Sequence, residues 1–311
     1  MANGLGRGER AILHPSRAAA IDVRRFTPPP DLAHWVDYFW IVRWQAEEPH
    51  TQAVIPQPVI HLAAETSRVM VHGVGDNRFS RTLTGTGHVL GVALRPGGFR
   101  PILGRPVNSV TRSVTPIGDL LGFDDRPLAR RLLRRDATDE DIVAVAEEWL
   151  RGLRPERDPM VDAVAGLVAA AEHDHTITRA DQLAEQAGMS LRTLQRVFGD
   201  YVGIGPKWVV RRFRLLDAAA AANSGADVDW ATVAADLGFS DQAHLTRLFT
   251  EVVGTPPASY HRGERSDGEC DRGERSDGEC DRGERSDGEC DRGERSDGEC
   301  DRVQRNTGDQ T

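Results

Sequence analysis

A chain of 311 residues, 39% apolar and 28% charged, has room for two domains and a tail. Its Ala-rich opening is broken by His14, Pro15, Ser16 and Arg17, which excludes a signal peptide and a membrane span and predicts a cytoplasmic protein. A net charge of −9 argues at first against a nucleic-acid partner, but from Arg262 onward ten basic residues face seventeen acidic ones, so the tail carries −7 and residues 1–261 only −2.

Residues 1–20 show no periodicity and are expected to be a mobile N-terminus. From Phe26 the chain changes character. Pro28-Pro29-Pro30 followed by Asp31 predicts a capped short helix carrying Leu32, Trp35, Val36 and Phe39. Trp35, Tyr38, Phe39, Trp40 and Trp44 form the densest aromatic region, which reads as core or as the wall of a ligand pocket.

Between about 40 and 115 the chain shows short apolar runs punctuated by Gly and Pro: Val54-Ile55, Val59-Ile60-His61-Leu62, Val69-Met70-Val71-His72, and His88 to Leu94. Runs of that length and spacing predict an antiparallel barrel or sandwich. His50, His61, His72 and His88 invite a metal reading, with Glu65 as the nearby carboxylate, but no His-x-His pair occurs and no metal is assigned. Arg95-Pro96-Gly97-Gly98 reads as a tight turn, or as backbone bent around an anion. Pro127 then opens a helix through Leu128, Leu132 and Leu133. Thr138 caps another, in which Ile142, Val145, Ala146, Trp149 and Leu150 recur at helical spacing behind Asp139, Glu140 and Asp141. This pair closes the N-terminal domain or meets a second subunit. Residues 153–159 read as a linker.

The C-terminal third carries a pattern that occurs twice, about fifty residues apart. Leu183-Ala184, Gly188, Ser190, Leu194, Arg196, Phe198, Gly203 and Pro206 repeat as Val233-Ala234, Gly238, Ser240, Leu245, Arg247, Phe249, Gly254 and Pro257, with one residue inserted between the Ser and Leu positions. In each copy a glycine suits the left-handed turn after a short helix, and Ser or Asp suits the cap of the next. Leu245, Leu248 and Phe249 must face inward, leaving Gln242, Ala243, Thr246 and Arg247 on the surface. Two helix-turn-helix units in tandem follow, joined by a long helix that Pro206 opens and that ends near Asn223-Ser224-Gly225.

With the closing Gly254-Thr255-Pro256-Pro257 and Tyr260, residues 160–261 resemble the DNA-binding domain of the AraC/XylS family of bacterial transcription regulators. The resemblance covers about a third of the chain. It implies base-reading positions at Arg192, Gln195 and Arg196 in the first unit, and at Gln242, Ala243, His244 and Arg247 in the second. Ala243 cannot hydrogen-bond, and His244 is a less usual choice. Lys207, Arg211 and Thr246 are the candidates for phosphate. The family often places a cupin-like barrel before this domain, and the stretch from Gly91 through Arg95-Pro96-Gly97-Gly98-Phe99 to Gly104 resembles an uncharacterised sensor domain found in some members.

Residues 160–261 nevertheless hold eight basic and twelve acidic residues, which departs from a basic DNA-binding domain and predicts weak nonspecific affinity with strong salt dependence. The tail repeats Arg-Gly-Glu-Arg-Ser-Asp-Gly-Glu-Cys-Asp four times, from Arg262, Arg272, Arg282 and Arg292, and is expected to be disordered. All four cysteines, Cys270, Cys280, Cys290 and Cys300, lie there at ten-residue intervals, unlike a zinc site, and are expected to be free thiols.

The reading is an α+β multidomain protein: a β-rich, cupin-like sensor domain with flanking helices over 21–152, an all-α tandem helix-turn-helix domain over 160–261, and a disordered repeat tail over 262–311. Its function is sequence-specific DNA-binding transcription regulation, with double-stranded DNA as partner, two successive major grooves as target, and no cofactor. A small-molecule effector, a homodimer and RNA polymerase are further partners the family resemblance allows. Two alternatives stand against it. One is a helical interaction module that has lost DNA binding, motivated by the acidic balance and Ala243. The other is a metal-dependent cupin enzyme resting on the scattered histidines, since the chain has no nucleophile motif and no phosphate loop.

Overall fold

The pairing of β-branched and aromatic stretches with glycine-bearing ones organises the N-terminal half. A computed structural model describes residues 21–75, 79–223 and 228–260; the expectations for residues 1–20 and for the repeat tail lie outside these described residues. β1 (Ile21–Phe26), β2 (Val36–Val54), β3 (His61–Glu65), β4 (Arg68–His72), β5 (Phe79–Leu94) and β6 (Val114–Pro116) form one six-stranded sheet in the order β1-β2-β5-β3-β4-β6. All its pairings are antiparallel. The β-rich domain expected from the sequence is present. The strand order is linear, and among the described residues β1 and β6 do not pair.

On β2 and β5 the register sets Trp40 opposite Gly91 and Trp44 opposite Gly87. A Cβ at Gly91 would lie 1.9 Å from the Trp40 indole, and one at Gly87 2.4 Å from that of Trp44. The two glycines are thus the floor on which the indoles lie, while Phe39 and Ile41 point into the core at 0% and 1% exposure.

The helix expected from Asp31 does not form. Leu32 and Ala33 donate to the Pro29 carbonyl, and Trp35 and Val36 to that of Leu32, in two successive turns that do not build a helix; Val36 already begins β2, so Phe39 is a strand residue. From Val36 to Val42 nearly every residue is β-branched or aromatic, and β1 and β5 offer partners on both sides, which outweighs the capping signal at Asp31.

After α1 (Phe99–Leu103), a 3-10 helical turn (Val107–Val110) and α2 (Ile117–Leu121) come the two expected helices, α3 (Arg126–Leu132) and α4 (Asp139–Leu153). Thr138 and Asp141 close the capping box of α4 reciprocally, at 3.1 and 3.3 Å. Leu128, Ala129, Leu132, Ile142, Ala146 and Leu150 are buried in the core shared with the sheet, so this pair packs on its own domain. Asp125, fully buried, accepts from Val69 N at 2.7 Å and Arg68 Nε at 2.6 Å, which satisfies its charge and pins α3 to β4.

The histidines are dispersed. Trp40 Nε1 donates to His61 Nδ1 at 3.3 Å, and desolvation together with neighbouring His72 pushes the His61 pKa down to about 4. His72 pairs with Glu65 at 2.7 Å, His88 lies 3.1 Å from the Leu132 carbonyl, and His50 sits at a register shift of β2. Among the described residues no three ligating side chains converge as a metal site would require.

The remaining helices are α5 (Pro159–His173), α6 (Ala180–Gln186), α7 (Leu191–Tyr201), α8 (Pro206–Asn223), α9 (Trp230–Asp236) and α10 (Gln242–Val253). All described residues fall within one unit, Met1–Arg272, and the second unit, Gly273–Thr311, lies outside them. Among the described residues no helix is long and apolar enough to cross a membrane.

Candidate nucleic-acid interface

Each half of the helical domain is a helix, a glycine turn and a second helix, made by matching residues. Gly188 (φ 61°) donates to the Glu185 carbonyl at 3.0 Å after α6, and Gly238 (φ 72°) donates to Ala235 at 3.0 Å after α9. A left-handed backbone at both places is the reason for glycine. Ser190 Oγ then accepts from Thr193 N at 3.1 Å to cap α7, and the Asp241 carboxylate accepts from His244 N at 2.7 Å to cap α10. The cap of the second unit is Asp241 rather than Ser240.

The inner faces repeat as closely. Leu183, Leu194 and Phe198 are fully buried in the first unit, as are Leu245 and Phe249 in the second, with Ala184 and Ala234 beneath them. Tyr260, 1% exposed, stands edge-on to Phe249 with centroids 5.8 Å apart, so the closing Gly254 to Tyr260 segment covers the end of α10. α8 runs between the units with Val209, Val210, Phe213, Leu215 and Leu216 buried. Its Arg214 is structural: it donates to the Ala171 carbonyl at 2.6 Å and pairs with Asp217 at 3.0 Å.

The outer faces carry the residues in question. Arg192, Gln195 and Arg196 are exposed along one side of α7, and Gln242, Ala243 and Arg247 along α10. Lys207 and Arg211 are exposed on α8. Thr246 is half-buried, and its carbonyl accepts from the Thr250 hydroxyl at 2.7 Å. His244 is half-buried, with Nδ1 3.1 Å from Ser240 Oγ and its ring edge-on to Phe239, so it is turned back onto its own turn.

Electrostatics separates these cations from their neighbours. Arg179 pairs with Asp181, Arg100 with Asp200 and Arg214 with Asp217. Among the described residues Arg192, Arg196, Lys207, Arg211 and Arg247 take part in no salt bridge. The domain is acidic in sum, but many of its carboxylates are engaged in caps and ion pairs: Asp229 and Asp241 cap helices, and Asp162, Asp181, Asp200 and Asp217 hold other side chains. Unpaired positive charge is left on the exposed faces of α7, α8 and α10.

The far end of α7 is held by contacts that no sequence pattern signals. Asp200 pairs with Arg100 of α1 at 2.7 Å, the Arg100 guanidinium lies over the Tyr201 ring, and the Thr111 hydroxyl donates to the Gly203 carbonyl. Tyr201 donates to Asp158 at 2.7 Å; desolvation and that carboxylate push its pKa up to about 12. The helix bearing Arg192 and Arg196 is therefore fastened at its C-terminal end to the sheet domain.

Comparison with known proteins agrees with this geometry. Residues 24–116 match a family described as a domain of unknown function (DUF6597), and residues 183–263 match a helix-turn-helix domain. A probable transcription factor of Proteus vulgaris, PqrA, is 36% identical over 91 residues, which are 29% of this chain and 74% of that protein. A putative AraC-like transcription regulator of Streptomyces lividans is 33% identical over 114 residues, 37% of this chain and 36% of that protein, so the match spans about a third of that relative's length. Among solved structures, the DNA-binding domain of the global transcriptional factor AdpA in complex with a target DNA is 31% identical, covering 37% of this chain and 99% of that one, with a TM-score of 0.31. A duplicated helix-turn-helix frame, with 36% identity across most of a transcription factor's length, places the chain in the AraC/XylS family of sequence-specific DNA-binding transcription regulators.

Proposed function

We propose that residues 160–261 read DNA through α7 and α10 in two successive major grooves, and that residues 21–152 act as a sensor governing them, with residues 153–159 as linker. The observation that carries this reading is the set of exposed arginines without ion pairs on two equivalent helices. Arg192, Arg196 and Arg247 reach guanine O6 and N7, Gln195 and Gln242 reach adenine, and each bidentate pair contributes about 1–3 kcal/mol of discrimination. Lys207 and Arg211 hold phosphate, as Thr246 does in a lesser part. His244, engaged with Ser240, reads a base only if it swings out.

Two reading helices on one face of B-DNA lie about 34 Å apart, one helical turn. The contacts of Asp200 and Tyr201 with Arg100, and of Gly203 with Thr111, support control of the first unit by the sheet domain. A small effector acts by binding one state of the sensor better than the other. The protein works in the cytoplasm, as a homodimer or a monomer, and meets RNA polymerase where it activates.

The test is selection of bound sequences from a random duplex pool by the full chain, beside Arg196→Ala and Arg247→Ala, at two salt concentrations. Two short boxes about one turn apart, each lost with its own arginine, are expected. If no sequence is enriched by the wild-type chain, the reading is wrong and an interaction module takes its place.

A further inference from the structure

Ser190 caps α7, and the first turn beyond it holds Leu191, Arg192 and Thr193. The Ser190 and Thr193 hydroxyls lie 2.9 Å apart and are turned to each other. Leu191 and Arg192 are left outward, both exposed. Among the described residues Leu191, 39% exposed, belongs neither to the apolar core nor to the side chains packed on it. Nothing inside the protein accounts for a large apolar side chain there.

A solitary leucine on a protein surface is ordinary; this one is distinguished by its position. Leu191 and Gln195 are four residues apart, as are Arg192 and Arg196, so the leucine heads one of the two columns that make the outer face of α7. Counted from the caps Ser190 and Asp241, Leu191 stands where Gln242 stands on α10, and Arg192 where Ala243 stands. Each leading turn thus shows one polar and one apolar side chain outward, in opposite order. In a helix-turn-helix the N-terminal residues of the second helix lie against base edges. A leucine there can neither donate nor accept a hydrogen bond. The thymine C5-methyl is the apolar group that a base pair presents in the major groove, and an aliphatic side chain matches it.

We propose that Leu191 is a specificity-determining residue, reading one thymine of the first box through its C5-methyl group beside the base that Arg192 reads. This deepens the DNA reading proposed above and rests on it. The chemistry differs from that of the arginines: an apolar contact displaces no counterion, so it adds nothing to the salt dependence of binding.

The experiment uses the full chain and the duplex it selects from the random pool, with each thymine of the first box replaced singly by deoxyuridine, which lacks only the C5-methyl. The first box is the one lost in Arg196→Ala. At one thymine the wild-type affinity is expected to fall roughly fourfold, as for one methyl group taken out of an apolar contact. Leu191→Ala is expected to bind the thymine and deoxyuridine duplexes alike, with the wild-type salt slope and the wild-type unfolding midpoint in denaturant. A first box without thymine, wild-type binding indifferent to every single replacement, or a deoxyuridine effect of equal size in Leu191→Ala overturns the proposal and leaves the arginine reading standing. So does a salt slope altered in Leu191→Ala, which would mark a displaced helix rather than a lost methyl contact. Enrichment of no duplex by the wild-type chain is a different failure: it removes the DNA reading itself, and this inference with it.

Discussion

α7 and α10 stand in the same place in their two units, behind glycines of like conformation and over phenylalanines that are both fully buried. Yet α7 presents Arg192, Gln195 and Arg196 on its outer side, whereas α10 presents Gln242, Ala243 and Arg247, with His244 turned inward. α7 is also fastened to the sheet domain, through Asp200 and Tyr201 on Arg100 and, just beyond its end, Gly203 on Thr111. A frame set by glycines, caps and apolar positions leaves the outer face free to differ, and the copy with more hydrogen-bonding reach is the one in contact with the sheet domain. A change in that domain has a short path to the first unit.

The largest effects test the shared frame. Phe198→Ala and Phe249→Ala each remove a fully buried ring and are expected to cost about 3–5 kcal/mol in denaturant unfolding. Losses that differ several-fold would break the equivalence of the two cores. A smaller effect sharpens the difference between the outer faces. Arg192→Ala and Arg196→Ala are each expected to cost about 1–3 kcal/mol and to relax base preference in one box; Arg247→Ala does so in the other, where Ala243 adds nothing. Binding to duplexes with either box scrambled reads this directly, and a uniform loss across all sequences would reassign these arginines to phosphate. Smaller again, Ser190→Ala removes the cap of α7 and is expected to cost about 1 kcal/mol, seen in the same unfolding measurement.

The repeat made the helical domain legible because its glycines, caps and inward phenylalanines each answer a local steric or hydrogen-bonding need. α8 was readable from Pro206 for the same reason. In the sheet domain the apolar runs marked strands, but the order β1-β2-β5-β3-β4-β6 depends on pairings between distant segments that no local pattern encodes. Asp31 misled for a related reason: its capping signal is local, and the partners of Val36–Val42 on β1 and β5 are not. Among site residues, exposure of Arg192, Arg196 and Arg247 followed from periodicity. The turn of His244 onto Ser240 and the Arg100–Asp200 pair are contacts of side-chain placement, invisible to spacing.

The smallest predicted effect comes from how the helices of each unit begin. In the first unit the N-terminus of α6 is held by Gln182 Oε1, accepting from Arg179 N at 2.9 Å, and that of α7 by Ser190 Oγ; neither group titrates. In the second unit Asp229 caps α9 and Asp241 caps α10. The Thr232 hydroxyl and backbone N–H groups hold the Asp229 pKa below the usual 3.8, and the His244 N–H does the same for Asp241. A carboxylate whose pKa is lower folded than unfolded stabilises the fold above its unfolded value, and that contribution is lost as pH falls through the folded value. Acidification below 3.8 is therefore expected to loosen α10 before α7, whereas α6, whose first turn carries Asp181 with its pKa also held down by Arg179, responds alongside α9. Asp229→Asn with Asp241→Asn keeps both caps without the titration, because Asn caps as well as Asp. Amide hydrogen exchange resolved by helix, at about pH 5 and about pH 3, should show protection of α9 and α10 falling more in the wild type than in the double variant. Equal loss in both proteins would mean that acid acts on the second unit through some other carboxylate, and would leave the two units alike in how they are capped.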